Sequence, residues 1–96
     1  MKMVLVIYEA GIDEDLQGTL DAAGVSAYTK LTDATGSGRA GRRLGTQVWP
    51  GTNNLLWMAV PDEAVGDLVT RLRALRASYL KPPALRIFVL PVEVVE

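Results

Sequence analysis

The sequence contains no cysteine and no histidine. Without cysteine, the chain can form neither a disulfide nor a thiolate metal site. Without histidine, it lacks the commonest metal ligand and the commonest general base. No pairing of a nucleophile with a base is recognisable among the other residues. The sequence therefore predicts a protein that is not an enzyme, with no catalytic residues, metal site or cofactor.

Long apolar runs and a strong net charge are also missing. No run approaches the roughly 20 apolar residues that a membrane span needs. The N-terminus begins with a strand-like run and lacks the parts of a secretory signal. The formal net charge of −1 does not attract the whole molecule to nucleic acid or to an acidic membrane. We therefore expect a cytoplasmic protein without membrane insertion and without a nucleic-acid partner.

Acidic residues are absent between Asp33 and Asp62, and this gap contains an unusual segment, 35–53. The segment holds five of the nine glycines and three of the arginines. These arginines are Arg39, Arg42 and Arg43. A loop of this length is uncommon in a compact domain, and it is usually functional or disordered. Because glycines raise the entropy cost of ordering and like charges repel, we expect 35–53 to be a mobile loop.

The rest of the 96 residues is typical of one domain in which strands and helices alternate. Apolar or alternating stretches predict strands at 3–8, 25–32, 55–60 and 87–90. Apolar residues at helical spacing predict a first helix after Asp13, which we interpret as its N-cap. A second helix is predicted to begin near Asp62 and to include Leu80 on its apolar face.

The resulting order, βαββαβ, predicts a ferredoxin-like α+β fold. Right-handed crossovers place both helices on one face of a four-stranded antiparallel sheet, with the first and third strands central. The other face still presents apolar side chains, and 49% of the residues are hydrophobic. We therefore expect a symmetric oligomer. Trp57 lies inside an apolar run and is expected in the core.

Several short motifs resemble those of the PII family of nitrogen-regulatory signalling proteins. The sequence from Thr35 to Arg39 resembles the Gly-x-Gly-Arg that begins the family's long regulatory loop. Val60-Pro61-Asp62 resembles its third-strand exit, and Arg86-Ile87-Phe88-Val89 resembles the Lys-Ile-Phe-Val of its fourth strand. The resemblance covers most of the chain. It implies a homotrimer of ferredoxin-like subunits, each a single domain, 1–96, with 35–53 as the regulatory loop.

The resemblance also implies a regulatory function. A small anionic ligand, nucleotide-type or another metabolite, would bind at clefts between subunits, and the mobile loop would engage a partner protein such as a transporter or an enzyme. The implied ligand-binding residues are Gly36, Ser37, Gly38, Arg39 and Arg86. The implied partner-binding residues are Arg42, Arg43 and Trp49. Trp49-Pro50-Gly51 is similar to a divergent subgroup of which some members are encoded beside heavy-metal efflux pumps.

Alternatives stay open at three places. Gly36–Arg39 fits an anion-binding nest or, equally, a hairpin base with glycines for turn geometry. Lys81–Leu85 has no glycine where the family has a glycine-rich phosphate cradle. The alternative function is therefore a protein-interaction module, associated with a transporter or a metal-efflux system, that binds no metabolite or nucleotide. Lys30 is expected at the solvated surface, and Arg86 either binds an anion or pairs with Glu93 or Glu96.

Overall fold

The computed structural model describes residues 1–38, 41–43, 45 and 51–96. The strands of this part are β1 (Lys2–Glu9), β2 (Thr29–Ala34), β3 (Gly36–Gly38), β4 (Gly41–Arg43), β5 (Asn53–Val60) and β6 (Leu85–Pro91). Its helices are α1 (Asp13–Ala22) and α2 (Val65–Ala77). Short 3₁₀ turns at Ala10–Ile12 and Asp62–Ala64 lead into the two helices.

Four strands form the main sheet in the order β2-β5-β1-β6, and every neighbouring pair is antiparallel. The first strand and the strand before α2 are therefore central, as predicted from their uninterrupted apolar runs. β6 lies at an edge, where a proline such as Pro91 is tolerated. β3 and β4 form a separate two-stranded sheet. These features confirm the ferredoxin-like fold.

The core lies between the sheet and the two helices. Because side chains alternate along a strand, every second residue of β1 and β5 points toward the helices and is buried. The core side chains from strands and helices include Val4, Val6, Tyr8, Leu56, Met58, Val60, Leu16, Leu20, Leu68 and Leu72. Burial of each large aliphatic side chain contributes roughly 1.5–3 kcal/mol. The buried positions of β1 and β5 thus identify the face of the sheet that the two helices cover.

The opposite face of the sheet has no cover within the described part of the chain. Leu5 lies opposite Trp57 on one side and opposite Phe88 on the other. Trp57 is 38% exposed and Phe88 is 43% exposed. The prediction that Trp57 belongs to the core is therefore wrong, because its position in β5 directs it away from the helices. An apolar run shows that a strand is apolar on both faces, not that both faces are covered.

Two element boundaries differ from the sequence-based prediction. β2 begins at Thr29 rather than at residue 25, and its pairing with β5 shifts register between Leu31 and Ala34. Asp33, within this irregularity, has a φ of +59°. α2 ends at Ala77, so Leu80 lies beyond the helix and is fully exposed rather than on its apolar face.

Candidate functional site

The segment 35–53 begins with a short hairpin rather than an irregular loop. β3 pairs with β4, with Ser37 opposite Arg42 and Gly38 opposite Gly41. A Cβ atom at Gly36 would lie 3.4 Å from the side-chain nitrogen of Asn53, so the first residue of the hairpin packs against the first residue of β5. The interpretation of these glycines as part of a hairpin base is supported by this geometry.

This hairpin contains three of the predicted ligand-binding residues, Gly36–Gly38, and two of the predicted partner-binding residues, Arg42 and Arg43. Arg39 and Trp49 are outside the described residues. Of Arg42 and Arg43, the structure describes the backbone, which belongs to β4. Their roles therefore stay predictions.

Arg86 stands at the opposite edge of the sheet. It lies in β6 opposite Ile7, on the face that the helices leave open, and its side chain is exposed. It forms no ion pair with Glu93, Glu96 or any other residue in the described ranges. The alternative in which Arg86 pairs with one of these two carboxylates is therefore wrong.

The sheet separates Arg86 from the glycines of the hairpin. Gly36 follows β2, and three strand spacings of about 4.8 Å each lie between β2 and β6, or roughly 14 Å. Within one chain the two residues thus belong to strands at opposite edges of the sheet. A site that uses both residues is therefore expected to combine two chains.

The segment that precedes β6 is closed by hydrogen bonds. The Ala84 N–H donates to Glu9 Oε1 at 2.9 Å, and the Glu9 N–H donates to the Ala84 carbonyl at 3.1 Å. Pro83 is buried, and its carbonyl accepts a hydrogen bond from Arg76 Nε at 3.3 Å. Because Pro82 and Pro83 have no N–H and that of Ala84 is engaged, the segment offers few backbone donors to an anion.

A cluster of four polar side chains lies where β1 turns into α1. Asp13 Oδ1 accepts hydrogen bonds from the Tyr8 hydroxyl at 2.5 Å, from Lys30 Nζ at 2.9 Å and from Asn54 Nδ2 at 3.3 Å. Lys30 Nζ also reaches Asp13 Oδ2 at 3.1 Å. Tyr8 is fully buried and Asn54 is 5% exposed. The four residues come from β1, α1, β2 and β5, so the cluster joins all three of these strands to a helix.

The cluster favours an ionised Asp13 and a protonated Tyr8. Burial alone would raise the pKa of Asp13, but the hydrogen bonds from Tyr8, Lys30 and Asn54 outweigh it and lower that pKa. Burial, followed by the hydrogen bond to the Asp13 carboxylate, raises the pKa of Tyr8. The carboxylate is thus held as an anion at neutral pH, with a protonated phenol as one of its donors.

The cluster corrects two predictions. Asp13 is the first residue of α1 and makes no capping hydrogen bond, since Ile12 occupies the N-cap position. Lys30 is paired and half-buried rather than solvated. Two signals in the sequence point to such a cluster: a tyrosine ends one apolar strand, and Asn54 interrupts the start of another. A polar group inside an apolar run needs a hydrogen-bond partner when it is buried.

Two further properties concern the described ranges as a whole. They contain no group of three carboxylates that is arranged to hold a metal ion. None of their helices is long and apolar enough to cross a membrane.

The profile of the family "Nitrogen regulatory protein P-II" matches residues 1–96. The chain belongs to this family. The structure is similar to that of CPII, a nitrogen regulatory PII-like protein from Thiomonas intermedia, bound to ADP, AMP and bicarbonate. The TM-score is 0.78 with 26% identity, and the match covers 97% of this chain and 92% of CPII.

Other solved structures of PII-like proteins are also similar. CPII bound to ADP and bicarbonate gives a TM-score of 0.71 with 25% identity, covering 95% of this chain and 86% of that one. A PII-like signalling protein from Thermus thermophilus gives a TM-score of 0.66 with 23% identity, covering 92% of this chain and 82% of that one. The latter likeness shows the fold alone. No curated protein sequence matches this PII protein.

Proposed function

We propose that this PII protein is a homotrimeric sensor. It binds a small anionic ligand, nucleotide-type or another metabolite, at clefts between subunits, and it regulates a partner protein through the loop 35–53. Family membership and the likeness to a protein bound to ADP, AMP and bicarbonate support a ligand of this class. Binding moves the loop only if the ligand prefers one loop conformation over another.

The observation that carries the proposal is the position of Arg86. Its guanidinium group lies in the same cross-strand row as Ile7, on the apolar sheet face that no helix covers. A neighbouring subunit on this face would remove water from the guanidinium group, and a buried cation needs a counter-charge. Arginine suits a phosphate or carboxylate partner because it stays charged and presents a planar fork of donors.

Light scattering and calorimetry test the proposal together. We expect a particle of three times the mass of one chain, and a measurable heat of binding with ADP, AMP or bicarbonate. A monomer at micromolar concentration would remove the inter-subunit clefts and overturn the proposal. A folded trimer that gives no heat with any of the three ligands would favour the alternative below.

The alternative is a protein-interaction module that senses no metabolite. The closed segment before β6 favours it, because Glu9 occupies the Ala84 N–H and two prolines offer no donor. In this case the loop would dock on a transporter, and the similarity of Trp49-Pro50-Gly51 to the subgroup found beside heavy-metal efflux pumps suggests a metal-efflux system. A partner that binds equally well with and without the three ligands would support this alternative.

A further inference from the structure

The strand that leads into the hairpin is weakly anchored. No side chain of β2 (Thr29–Ala34) is buried, and only Lys30 and Ala34 are half-buried. β2 pairs with β5 alone, and the register of that pairing breaks between Leu31 and Ala34. With no apolar side chain buried in the core, the main side-chain anchor of β2 is the ion pair from Lys30 to Asp13. We call β2 the outgoing root of the segment 35–53.

The strand that returns from the segment is tied to the same carboxylate. Asn54, near the start of β5, donates through Nδ2 to Asp13 Oδ1. The neighbouring Thr52 accepts a hydrogen bond from the Ala10 N–H at 3.0 Å, next to the same corner. We call residues 52–54 the returning root.

Asp13 is itself held from the core side. Its carboxylate accepts a hydrogen bond from the hydroxyl of Tyr8, which is fully buried in β1. Asp13 is also the first residue of α1. The position of the carboxylate is therefore fixed by the apolar packing of β1 and α1. Hydrogen bonds to an ionised group are also stronger than those between neutral groups.

We propose that Asp13 is a positioning residue that holds both roots of the segment 35–53 at once, the outgoing root through Lys30 and the returning root through Asn54. Loss of its charge loosens both roots together, including the first residues of β5, where Asn53 and Asn54 pair with Glu9 and Tyr8, while 4–7, 56–60 and the helices keep their apolar packing. The consequence for a partner protein rests on the proposed function. The structural claim does not, and its test needs neither ligand nor partner.

Hydrogen exchange on the full chain, read out by mass spectrometry, tests the proposal. In Asp13→Asn we expect amides of 29–34 and of 52–54 to exchange about two- to fivefold faster, while those of 4–7 and 56–60 keep their rates. Asp21→Asn is the matched control, since Asp21 is an exposed aspartate of the same helix. The control is expected to leave all of these rates unchanged.

Two Lys30 variants separate a positioning role from general support of the fold. Lys30→Met keeps the aliphatic stem but removes the charge, so the outgoing root is expected to exchange faster. Lys30→Arg restores a donor and is expected to return exchange close to that of the wild type. If Asp13→Asn does not fold, these two variants still test whether the Lys30–Asp13 ion pair holds the outgoing root.

Three results overturn the proposal. One is equal acceleration of all amides in Asp13→Asn, which would make the carboxylate a general support of the fold. Another is no acceleration at either root. The third is acceleration of one root alone. Each of these results leaves the trimer and the calorimetric measurements untouched, so failure here is distinct from failure of the proposed function.

Discussion

Ala84 and Glu9 exchange two hydrogen bonds, one from backbone to backbone and one from the Ala84 N–H to the Glu9 carboxylate at 2.9 Å. The pair joins the end of β1 to the segment before β6, although 75 residues separate them in the sequence. The carboxylate occupies the donor that an anion would otherwise use and adds a negative charge beside it. The backbone of this segment is therefore poorly suited to an anion, and we expect Arg86 to be the better partner for one.

Replacement of Glu9 by alanine is expected to destabilise the fold. The Ala84 N–H would lose the carboxylate that it contacts in a half-buried position, which costs about 1–2 kcal/mol in the free energy of unfolding. Urea denaturation measures the change. Glu93→Ala, which removes an exposed carboxylate after β6, should change the free energy by less than about 0.5 kcal/mol. Equal effects of the two substitutions would show that the Glu9 side chain contributes nothing specific.

The fold could be predicted from the sequence because the burial of each strand and helix leaves a pattern of apolar residues along it. Uninterrupted apolar runs marked β1 and β5 as central strands, and helical spacing located α1 and α2. The positive φ of Gly24 is typical of the helix ending that was predicted there. These features are local, so the order of residues is enough to predict them.

The polar cluster was not predictable in the same way because it depends on pairing between distant strands. Asp13 looks like a helix cap when only its neighbours in sequence are considered, and Lys30 looks like a surface lysine. Only the register of β2 on β5, which places Lys30 opposite Leu56, brings the lysine to the covered face of the sheet. The exposure of Trp57 has a similar cause, since the face of β5 that the helices cover is set by packing between elements that are distant in the sequence.

Removal of the two arginines implied in ligand binding is expected to weaken binding of an anion. Arg39→Ala and Arg86→Ala should each reduce affinity about ten- to a hundredfold, because each removes a charge-assisted hydrogen bond of roughly 1.5–3 kcal/mol. If both arginines contact one anion, the loss of binding free energy in the double variant should differ from the sum of the losses in the two single variants. Calorimetry with ADP, AMP and bicarbonate provides the measurement.

Arg73→Ala is the control for these variants, since Arg73 is an exposed arginine of α2. It should leave the affinity unchanged. If neither Arg39→Ala nor Arg86→Ala weakens binding of any ligand found, while the assembly stays intact, the shared anion site does not exist.

A charge on the open sheet face is expected to prevent assembly. Phe88 is 43% exposed in one chain and lies opposite Leu5, in the middle of the apolar face. Phe88→Glu would place an unpaired carboxylate in the expected interface, which is strongly unfavourable. Light scattering should then find monomers, whereas Val95→Glu, at a more exposed position after β6, should leave the trimer intact. A trimer of unchanged stability in Phe88→Glu would place the interface elsewhere.

The stability of the protein is expected to fall in acid partly because of Asp13. Its pKa in the folded state is below the ordinary value of 3.8, so folding favours the ionised form. The stabilisation is therefore fully present above the unfolded pKa and is lost as the pH falls through the lowered pKa of the folded state. Since the Lys30–Asp13 pair is partly exposed, we expect a contribution of about 1 kcal/mol at neutral pH.

Asp13→Asn tests this dependence because asparagine cannot ionise. At neutral pH the variant should be less stable than the wild type by about 1 kcal/mol or more, since Lys30 loses its counter-charge. As the pH falls below about 4, the difference between the two proteins should shrink, because the wild type loses the same charge by protonation. Urea unfolding at a series of pH values measures the difference, with Asp21→Asn as the control. A difference that stays constant from neutral pH into acid would mean that the charge of Asp13 does not support the fold.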